Sequence, residues 1–332
     1  MQISLSDIHA ANERVAPYIL RTPTVKVMSG FFNELLPDTE VYLKHELFQV
    51  SGTFKVRGVL NNLLSRHSLE HGVTAASAGN HAIAVSVASQ ILGLNAKVVM
   101  QSSANPARIA AAQKSGAEII IAKDGPEAFA MAHELEEKEG RSFIHPFDGM
   151  RVAEATAAIA QEMHDDVAGL DAIIVSIGGG GLAGGVAAGS KLIRPDCEVF
   201  GVEPEGAAAM AASFASGAAT TLDELNTIAD SLAPPMTTDI TYSLCHKNLD
   251  ALCTVSDEQM LAACYLLGRD HKVLAEPACG AATAAALSAY SERLKGKKVG
   301  IILCGSNIDA DSYAEQMQLA KKSVANGIFE EN

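Results

Sequence analysis

The stretch IIVSIGGGGLAGG, residues 173–185, decides the fold prediction. A β-branched apolar run typical of a buried strand leads directly into four consecutive glycines, and a helical run rich in alanine and glycine follows. Glycine loses more backbone freedom on folding than any other residue, so this run needs a physical reason. In an α/β fold, a strand-to-helix turn lies at the carboxyl edge of the sheet, where the helix N-terminus favours an anion. The stretch therefore predicts an α/β fold with a phosphate site.

Three explanations of the glycines stay open at this point. A tight turn with close helix packing needs only one or two of them. Gly179, Gly181 and Gly184 also satisfy the dinucleotide pattern GxGxxG, with Glu203 at the end of the next strand candidate. Four adjacent peptide N–H groups suit the three oxygens of a compact phosphate monoester. A dinucleotide-dependent oxidoreductase is therefore one alternative to a phosphate-monoester site.

Short β-branched runs alternate with alanine-rich helical runs along the whole chain. Most strand candidates are continuously apolar, which indicates strands buried on both faces of open parallel sheets. Two sheets accommodate this many strands better than one, since twisted open sheets rarely exceed about ten strands. The strand candidates are 41–46, 73–77, 96–101, 118–122, 142–146, 172–177, 198–203 and 298–304. The helix candidates are 80–92, 106–115, 126–139, 152–164, 182–193, 257–269 and 280–294, and 217–249 is expected to be loop and short helix.

Composition excludes several classes of function. The 332 residues are 48% hydrophobic, enough for a sizeable core, and the net charge of −14 without any basic block argues against nucleic acid or an anionic membrane as a partner. The charged amino-terminal stretch does not resemble a signal peptide, and no apolar run approaches the roughly 20 residues of a membrane span. The six cysteines form no CxxC pair. We expect a cytoplasmic protein with free thiols that acts on a small molecule.

One lysine stands in an apolar turn that leads into a helix. Residues 51–58 read SGTFKVRG, with Lys55 between Phe54 and Val56. Apolar surroundings lower the pKa of a lysine amine and make it available as a nucleophile or base. A surface lysine whose stem covers the core is the ordinary alternative.

Two further strand-to-helix turns carry small polar groups. Residues 77–81, SAGNH, offer side-chain donors and backbone N–H groups that could hold a carboxylate, or form an ordinary helix cap. Residues 304–307, CGSN, end the last strand candidate, and 275–277, AEP, precede the helix candidate 280–294. Each of these segments alone could be an ordinary turn. Their joint occurrence in one chain is not explained in that way.

The segments SGTFKVRG, SAGNHA, GGGGLAGG, EPACG and CGSN, in this order, resemble the fold type II pyridoxal-phosphate enzymes, most closely the threonine/serine dehydratases and serine racemase. The resemblance runs from about Thr22 to Asn307. It implies a two-lobed α/β fold like that of the tryptophan synthase β subunit, with open, mostly parallel sheets and the cofactor in the cleft between the lobes. The large lobe would comprise 1–50 and 147–332, and the small inserted lobe 51–146.

The resemblance also implies a role for each motif residue. Lys55 is the catalytic residue and holds pyridoxal 5′-phosphate (PLP) covalently, with Phe54 packed beside it. Asn80 binds the 3-oxygen of the cofactor, and Cys304 faces its ring nitrogen. The phosphate is bound by N–H groups of Gly178, Gly179, Gly180, Gly181 and Leu182. The loop that holds the substrate carboxylate is Ser77, Ala78, Gly79, Asn80 and His81.

The implied function is a deaminating dehydratase, or ammonia-lyase. It would convert a small β-hydroxy L-amino acid, by default threonine or serine, to a 2-oxo acid and ammonia. A neutral thiol at Cys304 stabilises a protonated ring nitrogen less than an Asp would, which favours β-elimination over transamination. Dehydration of 3-hydroxyaspartate or phenylserine and racemisation are the alternatives within the family, and a non-catalytic amino-acid-binding protein is an alternative outside it. We also expect a homo-oligomer, a dimer or tetramer.

The sequence departs from the family pattern at three places. Ala78 stands where serine racemase has a second serine, which disfavours racemisation. Glu203 and Ala207 match two ligands of the Mg²⁺ or Ca²⁺ site found in some members, but Ala209 replaces the second acid and weakens that site. Thr53 stands where serine is usual before Phe-Lys, a change that keeps the hydroxyl group. The chain also ends soon after the last motif, so we expect no control through the carboxyl-terminal effector domain of the biosynthetic threonine dehydratases.

Overall fold

Ten strands form two separate sheets in the computed structural model, which describes residues 2–330. The strands are β1 (Thr24–Lys26), β2 (Glu40–Lys44), β3 (Val73–Ala76), β4 (Ala96–Gln101), β5 (Glu118–Ala122), β6 (Ser142–Phe143), β7 (Ala172–Ser176), β8 (Glu198–Pro204), β9 (Ala251–Val255) and β10 (Lys298–Ile302). The larger sheet has the order β1-β2-β10-β7-β8-β9, and the smaller has the order β5-β4-β3-β6. Only the β1–β2 pair within these residues is antiparallel. The prediction of an α/β fold with open, mostly parallel sheets is confirmed.

Fourteen helices surround the sheets within the same residues. They are α1 (Leu5–Val15), α2 (Phe31–Leu35), α3 (Lys55–Leu64), α4 (Asn80–Leu92), α5 (Pro106–Lys114), α6 (Gly125–Glu139), α7 (Met150–Asp166), α8 (Gly181–Ile193), α9 (Ala209–Ser216), α10 (Asp239–Asn248), α11 (Asp257–His271), α12 (Pro277–Leu287), α13 (Ser291–Leu294) and α14 (Ala310–Ala325). None of them has both the length and the apolar character needed to cross a membrane.

The elements that the sequence did not predict lie mostly at the edges of the fold. Strands β1 and β9 are the outermost strands of the larger sheet and are partly exposed, so they lack the apolar run that marks the central strands. Helices α1 and α14 are rich in polar residues. Both helices nevertheless begin at a residue type typical of helix N-caps. Ser4 and Asp7 form a capping box before α1, and Asp309 accepts from the Ser312 N–H at the start of α14.

The single helix predicted over 280–294 is wrong. Pro277, at the first helical position, starts α12 earlier than expected, and every residue of this helix is buried. The helix ends at Ser288, whose backbone is not helical (φ −126°, ψ −97°), and α13 begins separately at Ser291. An apolar run without polar interruption does not show where a fully buried helix stops.

Close packing of α8 on α7 requires Gly185, the last residue of the opening stretch, and Gly189, one helical turn beyond it. A Cβ atom on Gly185 would overlap the Thr156 hydroxyl, and one on Gly189 would lie 2.8 Å from the Ala157 carbonyl oxygen. The close-packing explanation of these glycines therefore also holds, for the part of the run that lies inside α8. This contact fixes the direction in which the N-terminus of α8 points.

The smaller sheet lies entirely within the predicted inserted lobe, and the larger sheet uses chain segments on both sides of it. Each sheet has its own apolar core. The lobe boundaries at 51 and 147 stay a prediction, and residues 1, 331 and 332 of the predicted large lobe lie outside the described residues.

Candidate active site

A cavity that is partly open to solvent, with about 500 Å³ of empty space in all, lies where the carboxyl ends of the two sheets face each other. Such a position, outside the carboxyl ends of parallel strands, is where α/β folds bind ligands. Nine predicted residues line it: Phe54, Lys55, Asn80, Gly178, Gly179, Gly180, Gly181, Leu182 and Cys304. Eight others complete the wall: Pro146, Phe147, Val152, Ser176, Ser231, Leu232, Glu276 and Ala278. The structure thus brings the separate motifs together.

Of the five described residues in the predicted carboxylate loop, Asn80 alone reaches this wall. His81 lines a smaller cavity beside Lys55 and contacts the Ile144 carbonyl oxygen at 2.8 Å. Ser77, Ala78 and Gly79 lie behind Asn80, in the turn between β3 and α4. Their predicted contact with the substrate carboxylate stays a prediction.

Lys55 is the first residue of α3, and its turn is tied to the end of β10. The Phe54 N–H donates to the Cys304 carbonyl oxygen at 3.2 Å, and Thr53 pairs with Gly305. The amine of Lys55 donates to the Pro146 carbonyl oxygen at 2.7 Å. Burial lowers the pKa of Lys55 from 10.5 to about 8, although Cys304 and Glu276 oppose this shift. A substantial fraction of the amine is therefore uncharged near neutral pH.

The glycine turn presents bare backbone to the cavity. A Cβ atom on Gly179 would overlap the Phe147 ring, and one on Gly181 would overlap the Phe147 carbonyl oxygen. Gly180 has a φ of +91°, and a Cβ there would lie 2.6 Å from the Met210 methyl group. Helix α8 begins at Gly181, so its first N–H groups have no acceptor within the helix. The turn therefore has the form of an anion cradle.

Three polar side chains in the wall, Ser176, Ser231 and Glu276, were not given a role by the sequence, and two of them contact Asn80. Glu276 is fully buried, accepts from Asn80 Nδ2 at 2.5 Å, and has its pKa raised by burial. Ser231 accepts from the same nitrogen at 3.1 Å. Glu276 lies in the EPACG motif, so its segment was noticed in the sequence although its role was not. Ser231 lies in the irregular section 217–249, where no sequence signal indicated a site residue.

Cys304 follows β10 and is almost fully buried. Hydrogen bonding to Cys279 and burial raise the pKa of its thiol. The group on this wall is therefore a neutral thiol at physiological pH, as the predicted role beside a ring nitrogen requires. The role itself stays a prediction.

A family model described as pyridoxal-phosphate dependent enzyme matches residues 15–305. The chain belongs to this family. PLP is therefore its cofactor, and the dinucleotide interpretation of the glycines is wrong.

The most similar proteins include dehydratases and racemases. The phenylserine dehydratase of Ralstonia pickettii is 44% identical over 317 residues, which are 95% of this chain and 96% of that protein. The serine racemase of Schizosaccharomyces pombe is 37% identical over 313 residues, 93% of this chain and 95% of that protein. The solved structure of threonine deaminase isoform 2 from Solanum lycopersicum, in its processed form, has a TM-score of 0.88 at 31% identity and covers 96% of this chain and 87% of that chain. The fold is that of the fold type II PLP enzymes.

The cavity fits this cofactor. The anion cradle at Gly178–Gly181 matches a phosphate monoester, and the buried amine of Lys55 on the same wall matches a carbonyl group that forms an imine. Phe54, Asn80, Leu182 and Cys304 line the same cavity. Their predicted roles, in which Leu182 binds the phosphate and the other three lie beside the ring, stay predictions.

Glu203 does not lie in this cavity. It is fully buried, and its two carboxylate oxygens accept from the N–H groups of Met210 and Ala211 at 2.7 and 2.8 Å. Burial raises its pKa to about 7, despite those two bonds. No group of three or more His, Cys, Asp and Glu side chains within residues 2–330 is arranged to hold a metal ion. The cation site at Glu203 and Ala207 stays a prediction.

The lowered pKa of Lys55 predicts how cofactor capture depends on pH. Only the uncharged amine attacks a carbonyl, so the rate of covalent attachment to cofactor-free protein should rise with pH to a midpoint near 8. Stopped-flow absorbance after mixing with PLP measures this rate. Lys55→Ala protein gives the background from other lysines. A midpoint near 10.5, the value for an exposed lysine, would contradict the assignment.

The cradle predicts a selective effect at Gly181. In Gly181→Ala, the added methyl group pushes against the Phe147 backbone, and we expect PLP affinity to fall at least about tenfold, since one lost hydrogen bond to a charged group costs about 1.5–3 kcal/mol. Equilibrium dialysis measures the affinity. Gly125→Ala is the matched control, because Gly125 also begins a helix and a Cβ there meets nothing closer than 3.5 Å. Equal affinities of the two variants would rule out the cradle.

Proposed function

We propose that the protein is a PLP-dependent ammonia-lyase that dehydrates a small β-hydroxy L-amino acid, by default serine or threonine, to a 2-oxo acid and ammonia. The observation that carries the proposal is the buried amine of Lys55, with a pKa near 8, on the wall of a cavity that also holds the anion cradle. Membership of the PLP-dependent family and the dehydratases among its relatives support the lyase activity.

The chain's own residues supply the base and the binding groups. When bound, PLP supplies the electron sink that weakens the bonds at the substrate α-carbon. The uncharged amine of Lys55 is positioned to take the α-proton, because its lowered pKa makes it a base near neutral pH. The N-terminus of α4, which begins at Asn80 without a side-chain cap, offers N–H groups for the α-carboxylate.

Apolar side chains of the wall keep water from the reacting atoms. Phe54, Phe147, Val152 and Leu232 all line the cavity. Exclusion of water strengthens the electrostatic interactions inside the site and protects reactive species. The β-hydroxyl group takes up a proton as it leaves, so that the α-proton removed and the hydroxyl group together account for one released water. Addition of water to the released enamine then gives the 2-oxo acid and ammonia.

The charges of the wall favour an uncharged β-substituent. Its ionisable residues are Lys55, Glu276 and Cys304, so a β-carboxylate would meet an acid and no arginine or histidine. This disfavours 3-hydroxyaspartate. Phenylserine is the second candidate substrate, supported by the apolar wall and by the 44% identical phenylserine dehydratase.

We also propose a homo-oligomer, a dimer or tetramer, in the reducing cytoplasm. Large apolar side chains that remain exposed, among them Met28 and Phe48, support association. All six cysteines are unpaired, which supports a reducing compartment. Sedimentation velocity of the purified protein tests the oligomeric state.

A substrate panel tests the reaction. Ammonia and 2-oxo acid should form from L-serine, L-threonine or phenylserine, more slowly from 3-hydroxyaspartate, and at least about 10²-fold more slowly with Lys55→Ala, which lacks the base. Borohydride treatment followed by mass spectrometry should place the cofactor on Lys55. Lys97→Ala is the control, since Lys97 pairs with Glu139 at the surface of the small sheet. Unchanged turnover by Lys55→Ala would end the proposal, and conversion of L-serine to D-serine without ammonia would indicate a racemase.

A further inference from the structure

Arg108 connects helix α5, which packs beside the small sheet, to segments of the chain that accompany the larger sheet. It lies on α5, and only 9% of its side chain is exposed. Its Nε donates to the Asn307 carbonyl oxygen at 2.9 Å, its Nη1 donates to Asp230, and its Nη2 lies 3.5 Å from Glu276 Oε2. All three partners belong to segments that accompany the larger sheet. None of the predicted roles includes Arg108.

These contacts close a ring of four residues, Asn80, Asn307, Arg108 and Glu276, in which Arg108 contacts the backbone carbonyl of Asn307. Asn307 Nδ2 donates to Asn80 Oδ1 at 2.7 Å, and Asn80 Nδ2 donates to Glu276 Oε1 at 2.5 Å. Arg108 contacts both Asn307 and Glu276 and so completes the ring. The carboxamide of Asn80 is thus held at both ends by residues that Arg108 contacts. Asn80 is the one residue of the predicted carboxylate loop that lines the cavity.

Arg108 also supports the backbone of that loop. An ideal Cβ atom on Gly79 would lie 2.9 Å from Arg108 Nη1. The guanidinium group therefore packs directly against the Gly79 backbone. The same group thereby limits how far the turn between β3 and α4 can move toward α5.

The charge of Arg108 acts on Glu276. Oε2 of Glu276 is buried and has no hydrogen-bond partner within residues 2–330, and Arg108 is the cation beside it. Burial raises the pKa of Glu276, and Arg108 opposes that shift, while Asp230 adds to it. Without the guanidinium group, a buried carboxyl group takes up a proton. Arg108 thus favours the carboxylate form, which accepts strongly from Asn80 Nδ2.

Direct binding of substrate by Arg108 is a different role, and the contacts oppose it. Nε, Nη1 and Nη2 each face a protein acceptor, and Arg108 does not line the cavity. Its influence on the substrate must pass through Asn80 and Gly79.

We propose that Arg108 is a positioning residue, which fixes the Asn80 carboxamide through Glu276 and Asn307 and supports Gly79, so that the loop 77–81 keeps the shape that binds the substrate α-carboxylate. The proposal rests on the proposed function only in assigning the carboxylate to this loop. It predicts a loss of substrate affinity without a loss of the covalent cofactor.

L-Alanine separates binding from elimination, because it carries the α-amine and α-carboxylate but no leaving group. The dissociation constant of L-alanine is measured on the holoenzyme by visible circular dichroism and fluorescence of the bound cofactor. In Arg108→Ala it should rise at least about tenfold, the equivalent of one hydrogen bond to a charged group. KM for the β-hydroxy substrate should rise by a similar factor, with a smaller change in kcat. Arg108→Lys restores the charge but not the planar fork, so its dissociation constant should lie between those of wild type and Arg108→Ala.

Arg141→Ala is the matched control. Arg141 also has 9% of its side chain exposed and belongs to the small-sheet half, but it contacts Glu139 and the Val73 carbonyl oxygen, away from the cavity. Its loss removes an equally buried guanidinium group. We expect a lower midpoint of thermal unfolding and an unchanged dissociation constant for L-alanine.

A wild-type dissociation constant and cofactor dichroism in folded Arg108→Ala would overturn the proposal. So would an equal loss of affinity in Arg141→Ala, since the effect would then be general destabilisation. If Arg108→Ala does not fold, Arg108→Lys decides, and wild-type affinity in that variant overturns the proposal. Wild-type protein that binds L-alanine but releases no ammonia from any β-hydroxy amino acid would refute the proposed function alone.

Discussion

The N-terminus of α8 can hold an anion only if no side chain covers its N–H groups, and the rest of the site depends on that constraint. Phe147 packs so closely on Gly179 and Gly181 that a Cβ at either position would overlap it. Further along the same helix, Gly185 and Gly189 bring α8 against α7 at backbone contact distance. One run of glycines therefore opens the cradle and also fixes the helix that forms it.

The amine that faces this cradle is held in place by charges buried deeper in the fold. Arg57, two positions beyond Lys55 on α3, is fully buried and pairs with Glu46 at 2.8 Å and with Glu162 at 2.7 Å, and Lys44 pairs with Glu162 at 2.5 Å. Removing one member of such a network leaves an uncompensated buried charge, so its members depend on one another. The network joins β2, α3 and α7 and gives the start of α3 one position relative to the cavity.

On the opposite side of the cavity, polar side chains from distant parts of the chain complete the wall. Asn80, Glu276 and Asn307 come from both halves of the fold and meet in one hydrogen-bonded group. Since a buried polar group without a partner is costly, each of these residues restricts the others. Apolar side chains such as Phe54, Phe147, Val152 and Leu232 form much of the rest of the wall, and its few ionisable groups favour an uncharged β-substituent. The proposed α-carboxylate site at the 77–81 loop and the apolar side chains beside it are together suited to elimination from hydroxylated amino acids.

The sequence by itself determined the architecture and predicted the lysine that would hold the cofactor. Alternation of apolar strands with alanine-rich helices indicates parallel sheets. The ordered motifs around Lys55, Asn80, the four glycines and Cys304 predicted the cofactor through their resemblance to the fold type II PLP enzymes. Local pattern could not identify Ser231, the role of Glu276 or the position of Arg108, since these residues are far apart in the chain and acquire their roles only through contacts between the two halves. It also could not show the break after α12, because that helix is buried on every side. The tertiary structure alone decided these features, since burial and the pairing of polar groups are properties of the packed chain rather than of any segment.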